Sequence, residues 1–595
     1  MPMDSALLHY QQRLQQLQSS IGAIQSRQLL TTMVFSAAIL VFFILSFAAL
    51  SRRTIPVWSS PLSLPFVLLS ARKYGRQQSI RLKLARLQDF YTIGINRLQG
   101  KWAGQGQSGE EFSIPNHVYE HDLNLFGTGS LFQRLCTTRT HAGSQRLANY
   151  LQDAPITMDE CLARQAAVQE LQGNTHLREQ VATLGKTFNQ STWETFATWL
   201  SQEPTKFAAW MRLFAACTSL ATGFILLIAI TGHASWELAI PFIAVQAAFG
   251  WALRPRVLQV IQHTRFVSIE IGLIREGLAL LATQNFQSAK LKELTRKATS
   301  EQSATEMLQL ERYLKTLDQR QKDWFYGPFL LLLVGTQCAM AIEAWRIRNG
   351  SNLKNWVEAW AEFDALSAIA CYAYECQQDT FPEFVEGSAT YEAVGLGHPL
   401  LQPEMCVRND VKLHSQGNRL LVISGSNMSG KSTLLRAVGI NAVLAAAGAP
   451  VRARSLRLSL FATCASLSIQ DSILEGKSKF MAELDRLRET IRLSKEQIPV
   501  LFLIDEIFSG TNSHDRRIAA EAVIRTLIAA GAVGAISTHD LALTELADLP
   551  RMQGSNWHMG SKDASNPLDF DYLLKPGITT ESNALAIARL AGVAL

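Results

Sequence analysis

Apolar residues are concentrated in two pairs of stretches, with segments of helical pattern between them. Residues 29–50 carry no charged side chain over 22 positions, which is long enough for a helix to cross a bilayer. Residues 55–71 are also apolar but contain three prolines. Residues 213–231 and 238–253 form the second pair, joined by a short polar link. The pattern predicts one transmembrane helical hairpin from each pair; a hairpin buried in a soluble core is the alternative for the second.

Basic residues at the ends of these pairs predict their orientation. The first pair is followed by a basic cluster: Arg72, Lys73, Arg76, Arg81, Lys83 and Arg86. The link of the second pair has no Lys or Arg, whereas its outer ends are flanked by Lys206, Arg212, Arg254 and Arg256. Since Lys and Arg accumulate in cytoplasmic loops, the ends of both hairpins are expected in the cytoplasm.

After the second pair of apolar stretches, apolar residues recur at helical spacing. Two stripes have a 3-4-3 spacing: Ile271, Ile274, Leu278 and Leu281, and then Met307, Leu310, Leu314 and Leu317. The residues between the two stripes are polar and charged. The stripes are predicted to be packing surfaces of a helical core, with no chemistry implied.

Composition agrees with membrane segments in an otherwise soluble chain. Of 595 residues, 18% are charged and 48% are hydrophobic, against roughly 25% charged residues in ordinary soluble domains. The formal net charge of +6 permits contact with anionic lipid or nucleic acid without arguing for either. The eight cysteines are scattered without paired CxxC spacing, which predicts reduced structural thiols and no zinc site.

A glycine-containing loop near residue 425 is the strongest chemical signal. Residues 420–424 read as a buried strand, the pattern Gly-x-x-x-x-Gly-Lys-Ser follows at 425–432, and helix-favouring residues come next. This order is the context of a phosphate-binding loop, in which backbone N–H groups and a helix N-terminus hold phosphates. A chance match is the alternative, disfavoured by the flanking strand and helix. The predicted ATP-binding residues are Gly425, Ser426, Asn427, Met428, Ser429, Gly430, Lys431, Ser432 and Thr433.

Individual roles follow from the chemistry of phosphoryl transfer. Lys431 is expected to reach the β- and γ-phosphates and Ser432 to ligate Mg²⁺. Residues 501–506 form an apolar strand ending in two acids, so Asp505 is expected to hold the Mg²⁺ shell through water. Glu506 would orient or deprotonate the attacking water. His539, which ends a further strand, would contact the γ-phosphate or that water.

A third apolar region, 325–342, is interrupted by proline, glycine and glutamine. An odd number of spans would place residues 90–205 and the ATP site on opposite sides of the membrane. Because ATP chemistry belongs in the cytosol, this region is predicted to be a buried core helix and the chain to have four spans. The expected location is an integral membrane protein whose core and ATPase domain lie in the cytoplasm.

These residues resemble the MutS family of DNA mismatch-repair ATPases, relatives of the ABC class. GSNMSGKST at 425–433 is similar to that family's GPNMGGKST, differing at Ser426 and Ser429. DEI at 505–507, GTNS at 510–513 and STH at 537–539 resemble its DEIGRGTST and ATH segments. GKSKFM at 476–481 resembles its GRSTFM loop, whose serine reaches the nucleotide of the other subunit. The resemblance therefore implies a homodimer with Ser478 as the contact in trans.

The resemblance extends over about 118–205 and 345–592, more weakly outside the ATPase motifs. His398-Pro399 and residues 407–411 look like the entry to the family's ATPase domain, which places Asn409 near the base. Cys406 stands where an aromatic residue is usual, so stacking on adenine is in doubt. The family's N-terminal mismatch-reading domain is replaced here by apolar stretches and a basic linker.

The fold class expected is an α/β P-loop ATPase domain joined to a long-helix all-α core, with transmembrane hairpins. The expected organisation is an N-terminal polar segment at 1–28, hairpins at 29–71 and 213–253, a basic linker at 72–117, core segments at 118–212 and 254–390, and a MutS-type ATPase domain at 391–595.

Three functions are compatible with this organisation. The first is a membrane-anchored ATPase that hydrolyses ATP as a dimer and binds double-stranded DNA in mismatch repair or recombination. The second is a membrane ATPase that remodels a protein or lipid partner without binding DNA. An ABC transporter is weaker, because the ATPase motifs resemble MutS more closely. The partners expected are a second copy of the chain, DNA, and membrane lipid through the two hairpins.

Overall fold

A computed structural model describes most of the chain, in two compact units. The described residues are 2–52, 59–153, 157–185, 190–230, 235–262, 264–300, 303–319, 332–467, 479–509, 512–563 and 566–579. The first unit comprises Met1–Cys136, Tyr150–Thr183 and Ile369–Leu595, and the second comprises Thr137–Asn149 and Leu184–Ala368. This division differs from the seven predicted segments, because long helices continue through several of the predicted boundaries.

The first unit begins with two long helices, α1 (Pro2–Arg52) and α2 (Ser59–Leu98), which run antiparallel. Near their outer ends the rings of Tyr10 and Tyr91 lie 5.1 Å apart. Further along, the Thr31 hydroxyl donates a hydrogen bond to the Gln77 side chain at 2.6 Å. The 1–28 segment is therefore the first half of α1, and residues 72–98 of the predicted basic linker are helix.

The other helices that precede the sheets are divided between the two units. After α2, the helices that belong wholly to the first unit and precede the sheets are α3 (Leu131–Leu135), α5 (Met158–Gln172) and α6 (Thr175–Thr183). Helix α4 (His141–Gln152) contributes to both units. The second unit contains α7 (Gln190–Ser201), α8 (Ala209–Ile230), α9 (Ala239–Ile261), α10 (Thr264–Ala282), α11 (Ala289–Thr299) and α12 (Ser303–Gln319). Helix α13 (Val334–Glu375) again contributes to both.

Two of the predicted helical features are confirmed in the second unit. All eight residues of the 3-4-3 stripes on α10 and α12 are buried. The prediction of a buried core helix at 325–342 is confirmed for 334–342, which begins α13 and buries residues such as Ala339, Met340 and Ile342. Residues 325–331 lie outside the described part of the chain.

The C-terminal part of the first unit is α/β, as expected. A six-stranded sheet has the order β12-β9-β4-β8-β7-β6, and a four-stranded sheet has the order β1-β5-β2-β3. The strands of the larger sheet are β4 (Leu420–Ser424), β6 (Ala462–Ser466), β7 (Val500–Asp505), β8 (Val533–Thr538), β9 (Gly554–His558) and β12 (Lys575–Pro576). Those of the smaller sheet are β1 (Glu383–Phe384), β2 (Thr390–Leu396), β3 (Asn409–His414) and β5 (Ser455–Leu458). Strands β10 (Ser561–Asp563) and β11 (Asn566–Phe570) pair with each other.

Helices cover the larger sheet and complete its core. They are α14 (Lys431–Ala446), α15 (Lys479–Leu493), α16 (Ser513–Ala529) and the short α17 (Glu545–Asp548). Strands β4, β6, β7, β8 and β9 pair with one another in parallel, and β12 is antiparallel to β9. The central strands β4, β7 and β8 are buried on both faces, which explains their largely apolar sequences. Phe502, Ile504, Ile524 and Leu527 are among the residues that fill this core.

Three described helical segments are long and apolar enough to cross a membrane by length and composition: Gln28–Ala48, Ala209–Ala229 and Trp236–Ile261. Of the most apolar 18 residues in each segment, only 11%, 17% and 17%, respectively, are buried within the protein. The fourth expected span, 55–71, is not among the segments found in the described residues, and residues 53–58 lie outside them. Its described part continues into α2, with Leu64, Phe66 and Leu69 exposed.

Candidate functional site

The parallel sheet brings the predicted chemical residues to one edge. Strand β8 lies between β4 and β7, with Ser424 opposite Thr538 and Asp505 opposite Ser537. The carboxyl ends of the three strands are therefore level. The loop after β4, the acids after β7 and His539 after β8 all emerge at this edge, where ligands bind in open α/β sheets.

The loop at 425–430 has the backbone of an anion cradle. Gly425 and Gly430 have φ values of 151° and 102°, which residues with a Cβ rarely adopt. A Cβ on Gly425 would overlap the carbonyl oxygen of Met559, and one on Gly430 would lie 3.1 Å from the Tyr572 ring. Helix α14 begins at Lys431, so its N-terminal N–H groups and positive dipole end face the loop.

Two serines distinguish this loop, and both have hydroxyl groups that fit a phosphate ligand. The hydroxyl oxygens of Ser426 and Ser429 are buried, and neither has a hydrogen-bond partner among the described residues. Ser429 does not have a positive φ, so a residue with a side chain is accommodated there. Buried hydroxyl groups are nearly always hydrogen-bonded. Phosphate oxygens bound in the loop would supply the acceptor that these two hydroxyl groups lack.

The ammonium group of Lys431 points into the same loop. Its Nζ donates to the carbonyl oxygens of Gly425 and Ser426, at 2.8 Å each. Burial lowers the pKa of this lysine, while the nearby carboxylates of Asp505 and Glu506 act in the opposite direction. The side chain is thus held inside the cradle.

Asp505 is fixed by two hydroxyl groups, one on each carboxylate oxygen. Ser432 donates to Oδ2 and Ser537 donates to Oδ1. Ser537 was noted only as part of the STH segment at 537–539; its bond to Asp505 depends on the pairing of β7 with β8. No group of three or more His, Cys, Asp or Glu side chains that could hold a metal occurs among the described residues. Since Mg²⁺ at nucleotide sites is held by one or two protein ligands, waters and phosphates, Ser432 and Asp505 fit this ion.

Glu506 and His539 lie together beyond Asp505. Their side chains meet at 3.1 Å, from Oε1 to Nδ1, and both are partly exposed. Glu506 has a φ of 52°, and left-handed backbone of this kind typically costs about 1–3 kcal/mol in a residue other than glycine. Its backbone N–H is held by the Ser537 carbonyl oxygen at 3.1 Å.

The segment after Glu506 is held by side chains that sequence analysis did not identify. Phe508 also has a positive φ, 54°, and its N–H donates to Glu483 Oε1 at 2.7 Å. Arg516 on α16 donates to the carbonyl oxygens of Phe508 and Ser509 at 3.1 and 3.2 Å. These bonds orient Glu506, and neither partner belongs to a recognisable local motif.

An apolar cavity of about 250 Å³ adjoins the phosphate loop. Its lining includes Gly430 and Thr433 from the loop and helix, Met559 after β9, and the half-exposed ring of Tyr572. A flat heterocyclic base joined to phosphates in the loop would enter this cavity. Tyr572 offers the aromatic ring that Cys406 does not, and 142 residues separate it from Gly430, so no local pattern pointed to it.

Asn409 lines this cavity, but its amide is already bonded. Its Nδ2 donates to the Tyr572 carbonyl oxygen at 3.0 Å, and its Oδ1 accepts from the Leu574 N–H at 2.7 Å. Asn409 thus lies at the cavity that a base would enter, and its position near the base stays a prediction. The side chain holds the segment that carries Tyr572, rather than pointing free amide groups at the base.

His398 contributes a neutral ring to the cavity wall. Burial, together with the nearby charges of Arg436, Arg452 and Arg134, lowers the pKa of His398 to about 4. The imidazole is therefore uncharged at pH 7, which suits contact with an uncharged base.

The predicted contact in trans cannot be placed. Ser478 and the Gly510-Thr511 pair lie outside the described residues, and the following helix α15 begins at Lys479. Asn427 and Met428 are both exposed at the tip of the loop.

Comparison with known proteins points to one family for this region. Residues 421–595 match the family model for MutS domain V. The DNA mismatch repair protein MSH3 of Phaeosphaeria nodorum is 31% identical over 249 residues, which are 41% of this chain and 22% of that protein. The DNA mismatch repair protein MutS of Sorangium cellulosum is 36% identical over 240 residues, 39% of this chain and 26% of that protein.

A third relative has the same pattern of partial coverage. The DNA mismatch repair protein MutS 2 of Halobacterium salinarum is 31% identical over 293 residues, which are 48% of this chain and 32% of that protein. The chain thus spans less than a third of the length of these relatives. The similarity covers the region that contains the candidate site.

Proposed function

We propose that this chain is a membrane-anchored ATPase of the MutS type that binds ATP with Mg²⁺ and hydrolyses it to ADP and phosphate. The observation that carries the proposal is the meeting of Lys431, the Ser432–Asp505 pair and the Glu506–His539 pair at one sheet edge. The match of residues 421–595 to MutS domain V supports it independently. In this proposal the domain has the P-loop ATPase fold.

Each side chain has one task in the proposed reaction. The loop N–H groups, Ser426, Ser429 and Lys431 bind the phosphates. Ser432 and Asp505 would hold Mg²⁺, whose charge offsets that of the phosphates. Glu506 accepts a proton from the attacking water while its neighbour His539 orients the carboxylate or the water.

Two substitutions test the site. Lys431→Ala should abolish nucleotide binding, because the loop loses its only buried ammonium group among the described residues. Glu506→Gln should bind ATP but lower the turnover rate by roughly 10²–10⁴, the usual contribution of a general base. Glu521→Gln on α16 is the matched control and should behave as the parent. Binding and single-turnover hydrolysis would be measured; parental turnover in the Glu506 variant would reject the assignment of the base.

The proposed ATPase works as a homodimer in which Ser478 contacts the nucleotide of the partner subunit. The motif at 476–481 and the similarity to MutS domain V support this arrangement. Cooperative ATP-dependent dimerisation in Glu506→Gln, lost in Glu506→Gln/Ser478→Ala, is the expected outcome in light scattering.

The proposed location is the membrane, with the ATPase region and helical core in the cytoplasm. Three apolar segments have few buried residues, and large side chains such as Phe43, Phe47, Phe224 and Trp251 are exposed on them. Exposed apolar surface of this extent requires a partner, and a bilayer matches the length of the segments. Membrane lipid is therefore a proposed partner through both hairpins.

DNA is the first candidate for what the ATPase cycle acts on. The relatives are DNA mismatch repair proteins by name, which supports a repair or recombination role for this chain on double-stranded DNA. Remodelling of a lipid or protein partner is the second candidate, favoured by the exposed apolar helices.

One binding experiment separates these two candidates. Full-length protein in nanodiscs would be titrated with homoduplex, mismatched and branched DNA, with and without ATP, over a salt series. Nucleotide-sensitive preference for one DNA structure supports the repair role. Weak binding to all structures that disappears with salt supports the second candidate, because it reflects phosphate contacts alone.

A further inference from the structure

An amphipathic groove lies between α8 and the beginning of α13, both in the second unit. The helices run antiparallel here: Ala215 packs with Met340, and Ser219 is bonded to Gln337. The groove has a volume of about 490 Å³, within the range of about 300–1,000 Å³ for small-molecule sites. It is lined on the α8 side by Arg212, Ala216, Ser219 and Leu220, which share one helix face.

One end of the groove is cationic. Arg212 is exposed and forms no ion pair within the described part of the chain. It lies in the first turn of α8, at the end expected to face the cytoplasm. From Arg212 to Leu220 the helix rises by about 12 Å, away from that end. The charge therefore lies where lipid headgroups would be, with the groove extending toward the bilayer interior.

The remaining lining is mainly apolar, and its central polar groups bond to one another. Ser219 Oγ accepts from Gln246 and Gln337, at 3.3 and 3.2 Å, and donates to the Leu332 carbonyl oxygen at 2.8 Å. The hydroxyl group of Ser219 thus needs no bond from a ligand. Val334 and Leu332 line the end opposite Arg212, so a hydrocarbon chain would pass along this stretch without leaving a polar group unpaired.

We propose that this groove binds a single-chain anionic lipid, with its headgroup on Arg212 and its acyl chain along α8. The inference rests on the proposed membrane setting and specifies a lipid site within it. A carboxylate or a phosphate headgroup satisfies the same chemistry, because arginine pairs with either. Tyr313, which also lines the groove, has a hydroxyl group that can donate a second bond to the headgroup.

The test is native mass spectrometry of the full-length protein in detergent with three probes: palmitate, lysophosphatidylglycerol and lysophosphatidylcholine. Wild-type protein should bind palmitate or lysophosphatidylglycerol, or both, at one per chain, and the zwitterionic lipid at least about tenfold more weakly. The stronger of the two anionic probes identifies the headgroup class. Equal binding of all three would overturn the proposal.

Matched variants locate the binding. Arg212→Gln should weaken anionic binding at least about tenfold, while Arg254→Gln, which changes the same charge on α9, should leave it unchanged. Ala216→Trp should block all binding by filling the groove, and Leu227→Trp on the exposed face of α8 should not. Unchanged affinity in Arg212→Gln would overturn the proposal whether or not Ala216→Trp folds.

ATP hydrolysis measured on the same samples keeps the two proposals separate. If the wild-type protein hydrolyses ATP but binds neither anionic lipid, only the groove proposal is rejected. Lipid binding by a protein that fails to hydrolyse ATP supports the groove and rejects the ATPase.

Discussion

The two apolar hairpins look alike in composition but differ in what holds their arms together. In the first, α1 and α2 contact each other through the Phe35–Tyr74 ring stack at 5.5 Å and the Thr31–Gln77 hydrogen bond. In the second, α8 and α9 pack around Phe249, and residues Leu333 and Met340 from the α13 region join them. The second hairpin thus has a third helix as support, whereas the contacts of the first hairpin over this stretch, among the described residues, join its own two arms.

The hairpins also differ in charge at the ends. Six cations and no acidic residue occur in 72–86, and five of the six are exposed: Arg72, Lys73, Arg76, Arg81 and Lys83. Helix α9 carries only two basic residues, Arg254 and Arg256. In the proposed membrane setting, this difference predicts two modes of anchoring: the first hairpin would depend on anionic headgroups, and the second would depend more on packing within the protein.

The largest expected effect comes from charges placed within the spans. Phe43→Arg and Phe224→Arg each put an arginine near the middle of an apolar helix, at a cost of about 2.5–3.5 kcal/mol per residue. We expect the double variant to leave the carbonate-resistant membrane fraction. Phe224→Arg should impair insertion more than Phe43→Arg, because the mean hydropathy is 1.8 for its segment and 2.4 for the other.

Leu162→Arg on α5, an exposed position outside the spans, is the control and should remain in the membrane fraction. Retention of the double variant at the level of this control would contradict the membrane assignment of both hairpins.

The next effect concerns two buried ion pairs, one on a helix that continues from each hairpin or packs beside it. At the far end of α2, Arg97 Nε donates to Glu375 Oε2 at 2.8 Å, and both side chains are over 90% buried. Glu375→Gln should lower the free energy of unfolding by about 3–5 kcal/mol, because it leaves Arg97 buried with an uncompensated charge. Urea or thermal unfolding of detergent-solubilised protein measures the change.

Near the second hairpin, the corresponding pair joins Glu343 and Arg346, whose atoms Oε1 and Nη1 lie 2.9 Å apart. Glu343→Gln should cost less, about 1–3 kcal/mol. Arg346 keeps its bond to the Gln202 carbonyl oxygen and its contact with the Trp199 ring at 4.6 Å. A larger loss of unfolding free energy in Glu343→Gln than in Glu375→Gln would contradict the explanation that the remaining contacts of Arg346 reduce the cost.

The smallest expected effect per residue concerns the basic cluster. Combined Arg72→Gln, Lys73→Gln and Arg76→Gln should reduce the anionic lipid retained by purified protein, since each cation near a membrane contributes about 1 kcal/mol. The difference should vanish at high salt, which screens exposed charges. Arg254→Gln with Arg256→Gln should change retention less. Equal losses in both sets would show that the hairpins are anchored in the same way.

Much of the candidate site was predictable because its signals are local. The order of strand, glycine loop and helix at 420–446 follows from backbone requirements within a few residues of each other. The same holds for the acids that end β7. Tyr572, Ser537 and Glu483 were missed because each acts on a residue that is distant in the chain, through strand pairing or side-chain contact. Asn409 was placed near the base, but its bonds to the 572–574 segment were not foreseeable.

By itself, the sequence determined the helical and apolar character of each segment and the strand, glycine loop and helix of the candidate phosphate-binding site, since periodicity, composition and glycine placement act over short distances. Only the tertiary structure decided that residues 72–98 continue a helix, that α13 supports the second hairpin, and that Ser432 and Ser537 share one carboxylate. Those features depend on contacts between residues tens to hundreds of positions apart. Such contacts are selected by packing and hydrogen-bond satisfaction across the whole fold, which no local pattern records.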